Sequence, residues 1–291
     1  MAFYSPLRYP GGKGKVAGFF HAIIEENSLH DGTYVEPYAG GASVALSLLF
    51  NEYVSSIVIN DMDRSIYAIW HSILNKNDEF CKKISKTKVN LDVWEECRLI
   101  QKRKNRARLF DLGFSTFFLN RTNRSGIIKG GIIGGKSQTG KWKIDARFNK
   151  DDLIERIKRI GQYRDRVKIY NLDAYELLNR LSPTLTNKDI CYLDPPYYEK
   201  GKELYVNYYK EADHLKISKL IKSTKKVKWA VSYDNKDKIK DMYKQCHRIE
   251  YNLNYSVSLA SMGTEVMFFS KGLKLSENAT SCLRDCNYIE A

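Results

Sequence analysis

Ile190-Cys191-Tyr192-Leu193-Asp194-Pro195-Pro196-Tyr197 is the stretch on which the reading of this chain turns. Four apolar residues in succession read as a buried strand. Two prolines follow, and neither carries an amide hydrogen. The turn that leaves the strand therefore presents acceptors, the Asp194 carboxylate and the Pro195 carbonyl. In an open α/β sheet, ligands bind at the carboxyl ends of strands. Two acceptors suit the two hydrogens of an amino group conjugated to a ring. Such a nitrogen is a poor nucleophile until it is drawn toward tetrahedral geometry, and Tyr197 can stack on the ring that carries it. The competing reading is a rigid turn with an incidental aspartate. The position directly after a buried strand favours a site formed by Asp194, Pro195, Pro196 and Tyr197.

Strand-like and helix-like segments alternate on either side of this stretch. Thr33–Glu36 is a short strand closed by Pro37, and residues 41–50 read as helix. Ser56–Asn60 is apolar and β-branched, and 63–74 reads as helix. Val167–Tyr170, Ile190–Leu193 and 227–232 are strand-like. Leu153, Ile154, Ile157 and Ile160 mark one helical face, with Asn149 as its cap. Two more strands are expected around 249–253 and 265–270. The rhythm predicts an α/β fold with a mainly parallel sheet covered by helices on both faces. Residues 76–148 break it with several helices and a Gly- and Lys-rich loop. The expected organisation is one catalytic domain from 1–75 and 149–272, an inserted domain over 76–148, and a loose polar tail at 273–291.

A second signal is Tyr34-Val35-Glu36-Pro37-Tyr38-Ala39-Gly40-Gly41-Ala42-Ser43, a strand entering a tight glycine turn that a helix leaves. Glycine allows a ligand close to the backbone. Asp61 follows the next strand about 20 residues on, where an acidic side chain can hold ribose hydroxyls. Asp63 is a nearby alternative, and Asp61 is preferred on placement. The spacing is not that of a dinucleotide fingerprint, and no Walker-type sequence is present, so nicotinamide enzymes and NTPases are disfavoured. A third signal, Arg8-Tyr9-Pro10-Gly11-Gly12-Lys13, can place an ammonium against a ligand carboxylate, although alone it reads better as a flexible N-terminal turn with a solvated lysine.

The chain has 291 residues, 48 Lys plus Arg against 34 Asp plus Glu, and a formal net charge of +14, which fits a polyanionic partner, nucleic acid or an acidic membrane surface, about as well as it fits an ordinary basic soluble protein. No apolar run approaches a membrane span and the N-terminus lacks a signal core, so a cytoplasmic protein without a membrane partner is expected. The six cysteines are scattered without a CxxC pair, so free thiols and no metal site are expected.

In their order along the chain, these three motifs resemble the Dam-type family of DNA adenine methyltransferases. The resemblance runs from Pro6 to about Gly272 and includes Phe117-Phe118-Leu119-Asn120-Arg121, Asp145-Ala146-Arg147-Phe148-Asn149 and Met262-Gly263-Thr264-Glu265-Val266. It implies a Rossmann-like sheet with a final antiparallel strand and a mainly helical DNA-recognition insertion. It also implies methyl transfer from S-adenosylmethionine to N6 of an adenine flipped out of double-stranded DNA. Tyr9 and Lys13 would contact that cofactor, Asp61 its ribose or adenine, Glu36 and Gly40 its methionine end, Asp173 its adenine, and Asp194 both cofactor and target. Two positions depart from the family pattern: Tyr9-Pro10 stands for Trp-Ala, and Ala42 stands where a second separated glycine is common.

The resemblance assigns DNA recognition to the insertion, including a hairpin after Asn120-Arg121. The glycine-rich loop over 120–147 carries Asn120, Arg121, Arg124, Lys129, Lys141 and Arg147 as DNA-contact candidates, together with Lys136 and Lys143. Glycine permits close approach to phosphates and the charges release counterions. The Arg98 to Arg108 basic run competes with it and reads equally as a solvated helix face. Cytosine-N4 or RNA amino-methylation, and a catalytically silent DNA-binding relative, stay open as alternatives, as does a cognate restriction endonuclease as partner.

Overall fold

The computed structural model describes residues 4–8, 16–198, 209–255 and 261–290. Two compact units divide the chain: Met1–Gly12 with Asp63–Ile169, and Lys13–Met62 with Tyr170–Ala291.

The second unit carries the sheet. Its strands are β1 (Thr33–Glu36), β2 (Ser56–Asn60), β4 (Ile190–Leu193), β5 (Lys228–Asp234), β6 (Arg248–Tyr255), β7 (Ser261–Phe269) and β8 (Arg284–Ile289), while β3 (Val167–Tyr170) brings the chain back to it. The sheet order is β3-β2-β1-β4-β5-β7-β6-β8. β1 pairs in parallel with β2 and with β4, and β4 with β5, whereas β7 runs antiparallel to β5 and β6. The expected final antiparallel strand is therefore present, and the fold is α/β with a Rossmann-like parallel core. All four residues of β4 are buried. Leu193, Val231, Val35 and Phe268 pack with Leu177, Leu178, Ile217 and Ile221 in one apolar cluster. Tyr192 meets Phe20 elsewhere in the unit, ring centres 4.6 Å apart.

The chain steps from β1 outward to β2, then returns to place β4 on the other side of β1. The order reverses at the β1–β4 pair, and at such a reversal the helices diverge and leave a crevice at the strand ends. Tyr34 aligns with Ile190 and Val35 with Cys191. Glu36, which ends β1, and Asp194, which follows β4, thus emerge at the same edge.

The first unit is helical. It contains α3 (Arg64–Asn75), α4 (Asn77–Lys86), α5 (Leu91–Lys102), α6 (Leu109–Thr122) and α7 (Lys150–Gln162), following α1 (Ala17–Glu26) and α2 (Ser43–Phe50) of the sheet unit. Phe80 packs edge-on against Phe114 and Phe117, and Phe148 closes over Phe117 and Phe118. Asn149 caps α7, its side chain accepting from the Asp152 amide. This unit is wider than the 76–148 segment set apart by sequence rhythm. The stripe of α3 and the Leu153/Ile157/Ile160 stripe of α7 are the apolar faces of helices that pack within it.

The C-terminal residues differ from the expected loose tail. Residues 277–281 form a helix, capped by Ser276, and β8 pairs antiparallel with β6. Glu26 holds the cap in place by accepting from the Ser276 amide at 3.0 Å and from its hydroxyl. β8 is polar because it lies on the sheet edge, where backbone pairing supplies what apolar burial does not. Among the described residues, no helix is long and apolar enough to cross a membrane.

Candidate active site

The turn after β4 is anchored by polar residues inside the sheet. The Ser232 hydroxyl, fully buried on β5, donates to Asp194 Oδ1 at 2.8 Å and lies 2.9 Å from the Tyr192 hydroxyl. The Tyr197 hydroxyl donates to Glu265 Oε1 at 3.0 Å, and Tyr251 donates to Glu265 Oε2 at 2.8 Å. Glu265 is wholly buried on β7. A carboxylate taken out of water needs donors on both oxygens, and two phenols supply them. The Asp234 carboxylate accepts from the Tyr198 amide at 2.9 Å, which fixes the exit of the turn. Sequence reading assigns Ser232 and Asp234 no role and meets Glu265 only within a segment of family resemblance, because the partners of all three lie far away along the chain.

Glu36 is 4% exposed. The Ala45 amide, in the first turn of α2, bonds to its carboxyl. Its other oxygen, Oε2, has no hydrogen-bond partner among the described residues. Burial, and then the neighbouring Asp194 charge, push this carboxyl well above the usual carboxylate range. An unmatched buried carboxyl of this kind is suited to a cation.

Asp61 Oδ2 accepts from the Gly40 amide at 3.1 Å, tying the end of β2 to the glycine turn. The buried Asn60 side chain knits the same edge, donating to Pro37 O at 2.8 Å and Leu172 O at 3.0 Å and accepting from the Leu172 amide at 2.9 Å. Ala42, where the family pattern often has glycine, takes the left-handed conformation with φ 47°. That costs an L-residue about 1–2 kcal/mol, so the turn keeps its shape without the usual residue. Asp63 lies in the other unit, where it caps α3 through the Ser65 amide at 2.9 Å and pairs with Lys104 at 2.9 Å. Asp173 caps the helix Ala174–Leu181 through the Tyr175 amide at 2.9 Å. Its second oxygen accepts from the Tyr209 hydroxyl at 3.0 Å, to which Tyr38 donates at 3.1 Å. Asp173, Tyr175, Tyr209, Asp213 and Lys216 line a cleft. Tyr9 and Lys13 lie outside the described residues.

In the helical unit, Asn120 is 2% exposed and its amide is fully engaged. It accepts from the Arg8 amide at 2.8 Å and donates to Arg8 O and to Gly126 O, at 2.6 and 2.9 Å. Gly126, at φ +75°, lies so close that a Cβ would stand 2.3 Å from Arg8 O. Beyond it, Arg124 N–Gly131 O and Ile133 N–Thr122 O bonds of 2.9 Å close a short hairpin around the Asn123–Ile132 bridge. Arg121 Nε donates to Arg147 O at 2.7 Å. Burial, then the charges of Arg8, Arg156 and Arg147, pull the Arg121 guanidinium down to about 10, with Asp152 opposing. Arg121 thus remains a cation at neutral pH, among other cations and close to one carboxylate. Arg124, Lys129, Lys141 and Arg147 are exposed. In the competing basic run, Arg98 lies 5.1 Å over the Trp94 ring and bonds to Gly130 O at 3.3 Å, and Lys104 pairs with Asp63. Lys102, Arg103, Arg106 and Arg108 of that run are exposed.

A doubly wound sheet whose central strand ends in an Asp-Pro-Pro-Tyr turn with no amide hydrogen on either proline, beside a glycine turn, has the form of an amino-methyltransferase. The chain belongs to the D12 class N6 adenine-specific DNA methyltransferase family, which it matches over residues 9–257. It is 24% identical to the Type II methyltransferase M.MjaIII of Methanocaldococcus jannaschii, across 76% of this chain and 80% of that protein. Among solved structures, a protein described as an RNA methyltransferase from Pyrococcus horikoshii aligns with TM-score 0.41 and 9% identity, over 91% of this chain and 86% of its own. A conserved protein of Streptococcus pyogenes aligns with TM-score 0.32 and 10% identity, over 84% and 89%. Those two likenesses are too distant to bear on substrate. Family membership makes the chain an adenine-specific DNA methyltransferase rather than a cytosine or RNA enzyme, with DNA as its substrate.

Proposed function

We propose that the edge formed by β1, β2 and β4 binds S-adenosylmethionine and presents its methyl group to an adenine gripped by the turn 194–197. The observation that carries this reading is the placement of Glu36 and Asp194 at one edge, the first with an unmatched buried oxygen and the second held by Ser232. The residues fit the cofactor: the orphaned Glu36 oxygen suits its cationic methionine end, and Asp61 beside the Gly40 turn suits its ribose. Asp173 and its cleft suit its adenine, and Tyr9 and Lys13 are assigned to the same cofactor by family resemblance.

When bound, the cofactor supplies an electrophilic methyl on a sulfonium. The protein's own residues prepare the acceptor. Asp194 and the Pro195 carbonyl each take one hydrogen of the adenine N6 amine, concentrating electron density on nitrogen, while Pro196 keeps the turn free of competing donors. The Tyr192–Ser232 pair holds the Asp194 carboxylate at a fixed angle, since a buried hydroxyl chain leaves it one rotamer. Tyr197, pinned through Glu265, offers its ring to the flipped base. Methyl transfer leaves N6 with one proton too many, and Asp194 is placed to accept it and pass it to water.

Duplex DNA is engaged by the helical unit. Arg121, Arg124, Lys129, Lys141 and Arg147 contact its backbone, and phosphate is the partner that suits such a crowded set of cations. Asn120 acts indirectly, bracing Arg8 and the hairpin. The test is methyl incorporation from labelled cofactor into unmethylated plasmid DNA, with the product base identified by mass spectrometry. N6-methyladenine is expected, and its loss in Asp194→Ala. Methylcytosine as sole product, or full activity in that variant, would overturn the reading.

A further inference from the structure

We propose that Trp142 is a DNA-stacking residue, inserted against a base step of the bound duplex. The protein has four tryptophans. Trp70, Trp94 and Trp229 are 2–4% exposed, while Trp142 is 62% exposed. A large aromatic ring left in water forfeits the burial that normally repays its presence in a fold. Its setting shows that the exposure is imposed by the loop. The Gln138 side chain braces the loop three ways, donating to Ile133 O at 2.8 Å and Gly135 O at 2.6 Å and accepting from the Ile144 amide at 2.9 Å. Ile144, two residues beyond the ring, is buried and anchors the stretch of loop that carries it. On the N-terminal side the Gly140 amide donates to Gly134 O at 3.3 Å, and the Trp142 carbonyl itself sits where a Cβ on Gly134 would be 2.6 Å away. The backbone on both sides of Trp142 is therefore fixed while its side chain points outward.

The surroundings select the occupant. Lys136, Lys141 and Lys143 are all exposed, Lys136 pairs with Glu95 at 3.5 Å, Asp145 is the one acid between residues 134 and 147, and Lys141 Nζ lies 5.8 Å from the Trp142 ring centre. A protein partner would need a contiguous apolar patch, whereas the other exposed large apolar residue among the described residues of this unit is Leu99, on α5. One ring among lysines matches a polyanion whose bases offer flat faces between phosphates. The proposal rests on the chain acting on DNA, and it adds a contact that is apolar where the loop's other candidates are ionic.

Because Trp142 is the exposed one of the four tryptophans, the iodide-accessible part of the protein's fluorescence reports on it. Iodide should quench a red-shifted component in the wild type that is absent from Trp142→Phe. Adding sheared unmethylated plasmid duplex should remove that component and its iodide sensitivity in the wild type, and leave the emission of Trp142→Phe unchanged. Trp142→Ala should keep its thermal midpoint and bind duplex on the order of ten- to a hundredfold more weakly. Its slope of log affinity against log salt should stay that of the wild type, because no charge is removed. Unchanged emission on DNA that the protein binds and methylates, or wild-type affinity in Trp142→Ala, would overturn the stacking role and leave the methyltransferase reading intact. Failure to bind or methylate any DNA would overturn both.

Discussion

Asp194 presses on Glu36: its charge, added to the larger effect of burial, raises the Glu36 carboxyl well above the usual carboxylate range. Both side chains leave the sheet at the point where strand order reverses, so the electrostatics of the site follow from topology. If the cationic methionine end of S-adenosylmethionine meets Glu36, binding ionises it and expels a proton. Affinity should then rise as pH is raised, because release of the Glu36 proton accompanies binding, and the calorimetric enthalpy should differ between phosphate and Tris buffers. Glu36→Gln should bind more weakly and lose both dependences. A buffer-independent enthalpy in the wild type would place the cation elsewhere.

Asp194→Ala should abolish transfer while leaving DNA binding in place. Ser232→Ala should lower kcat about ten- to a hundredfold, the equivalent of one hydrogen bond to a charged group, about 1.5–3 kcal/mol. Tyr197→Phe keeps the ring and loses its bond to Glu265, so its effect should fall mainly on KM for DNA, whereas Tyr197→Ala should also lose stacking. Steady-state kinetics on plasmid DNA separates these cases. A Ser232→Ala enzyme with wild-type kcat would remove serine from the chain that orients Asp194.

Neutralising Arg121 and Arg124 together should lower DNA affinity and flatten its salt dependence by roughly 0.9 in log–log slope for each phosphate that no longer meets a cation. S-adenosylmethionine affinity should stay unchanged. The matched double variant at Arg98 and Lys104 should have less effect, since these two are already held by Trp94, Gly130 O and Asp63. Binding measured over a salt series decides between them. A flattened slope in the second variant alone would move the DNA to the other element.

His214 is buried among Tyr198, Tyr209 and Tyr233, bonded to the Tyr233 hydroxyl at 3.0 Å. Burial pulls its imidazole down from 6.5 to about 4, against the raising influence of Asp213 and Glu211. The unfolded chain therefore binds a proton between pH 6.5 and 4 that the folded chain refuses. Stability should be full above pH 6.5 and fall as pH drops toward 4. Urea midpoints for wild type and His214→Phe across that range should diverge in slope, with the variant flatter on the acid side. Parallel curves would assign the acid loss to other groups.

Much of the frame is legible in the sequence because apolar runs and turn residues bracket it unambiguously. Thr33–Glu36, Ser56–Asn60, Val167–Tyr170 and Ile190–Leu193 begin and end where their sequence pattern does. Asp61 is preferred to Asp63 by position alone, and the two are separately engaged, one by the Gly40 amide and the other as a helix cap. What escapes sequence reading depends on partners distant in the chain. Nothing local marks Ser232 as the donor to Asp194 or Glu265 as the acceptor for two tyrosines. Asn120 reads as a group free to meet DNA, yet Arg8 and Gly126 occupy its amide. Edge strands escape for a related reason: the polar Arg284–Ile289 segment has no apolar stripe to announce it.

That last strand also sets how the protein can be handled. β8 pairs with β6 at the end of the sheet, so β6 presents no open backbone on that side. A chain cut before Arg284 would keep its catalytic edge but bare a long row of unpaired amides and carbonyls, a template for another copy of itself. The shorter, polar β8 thus takes the edge position in place of the longer β6 and offers a poorer template for such pairing.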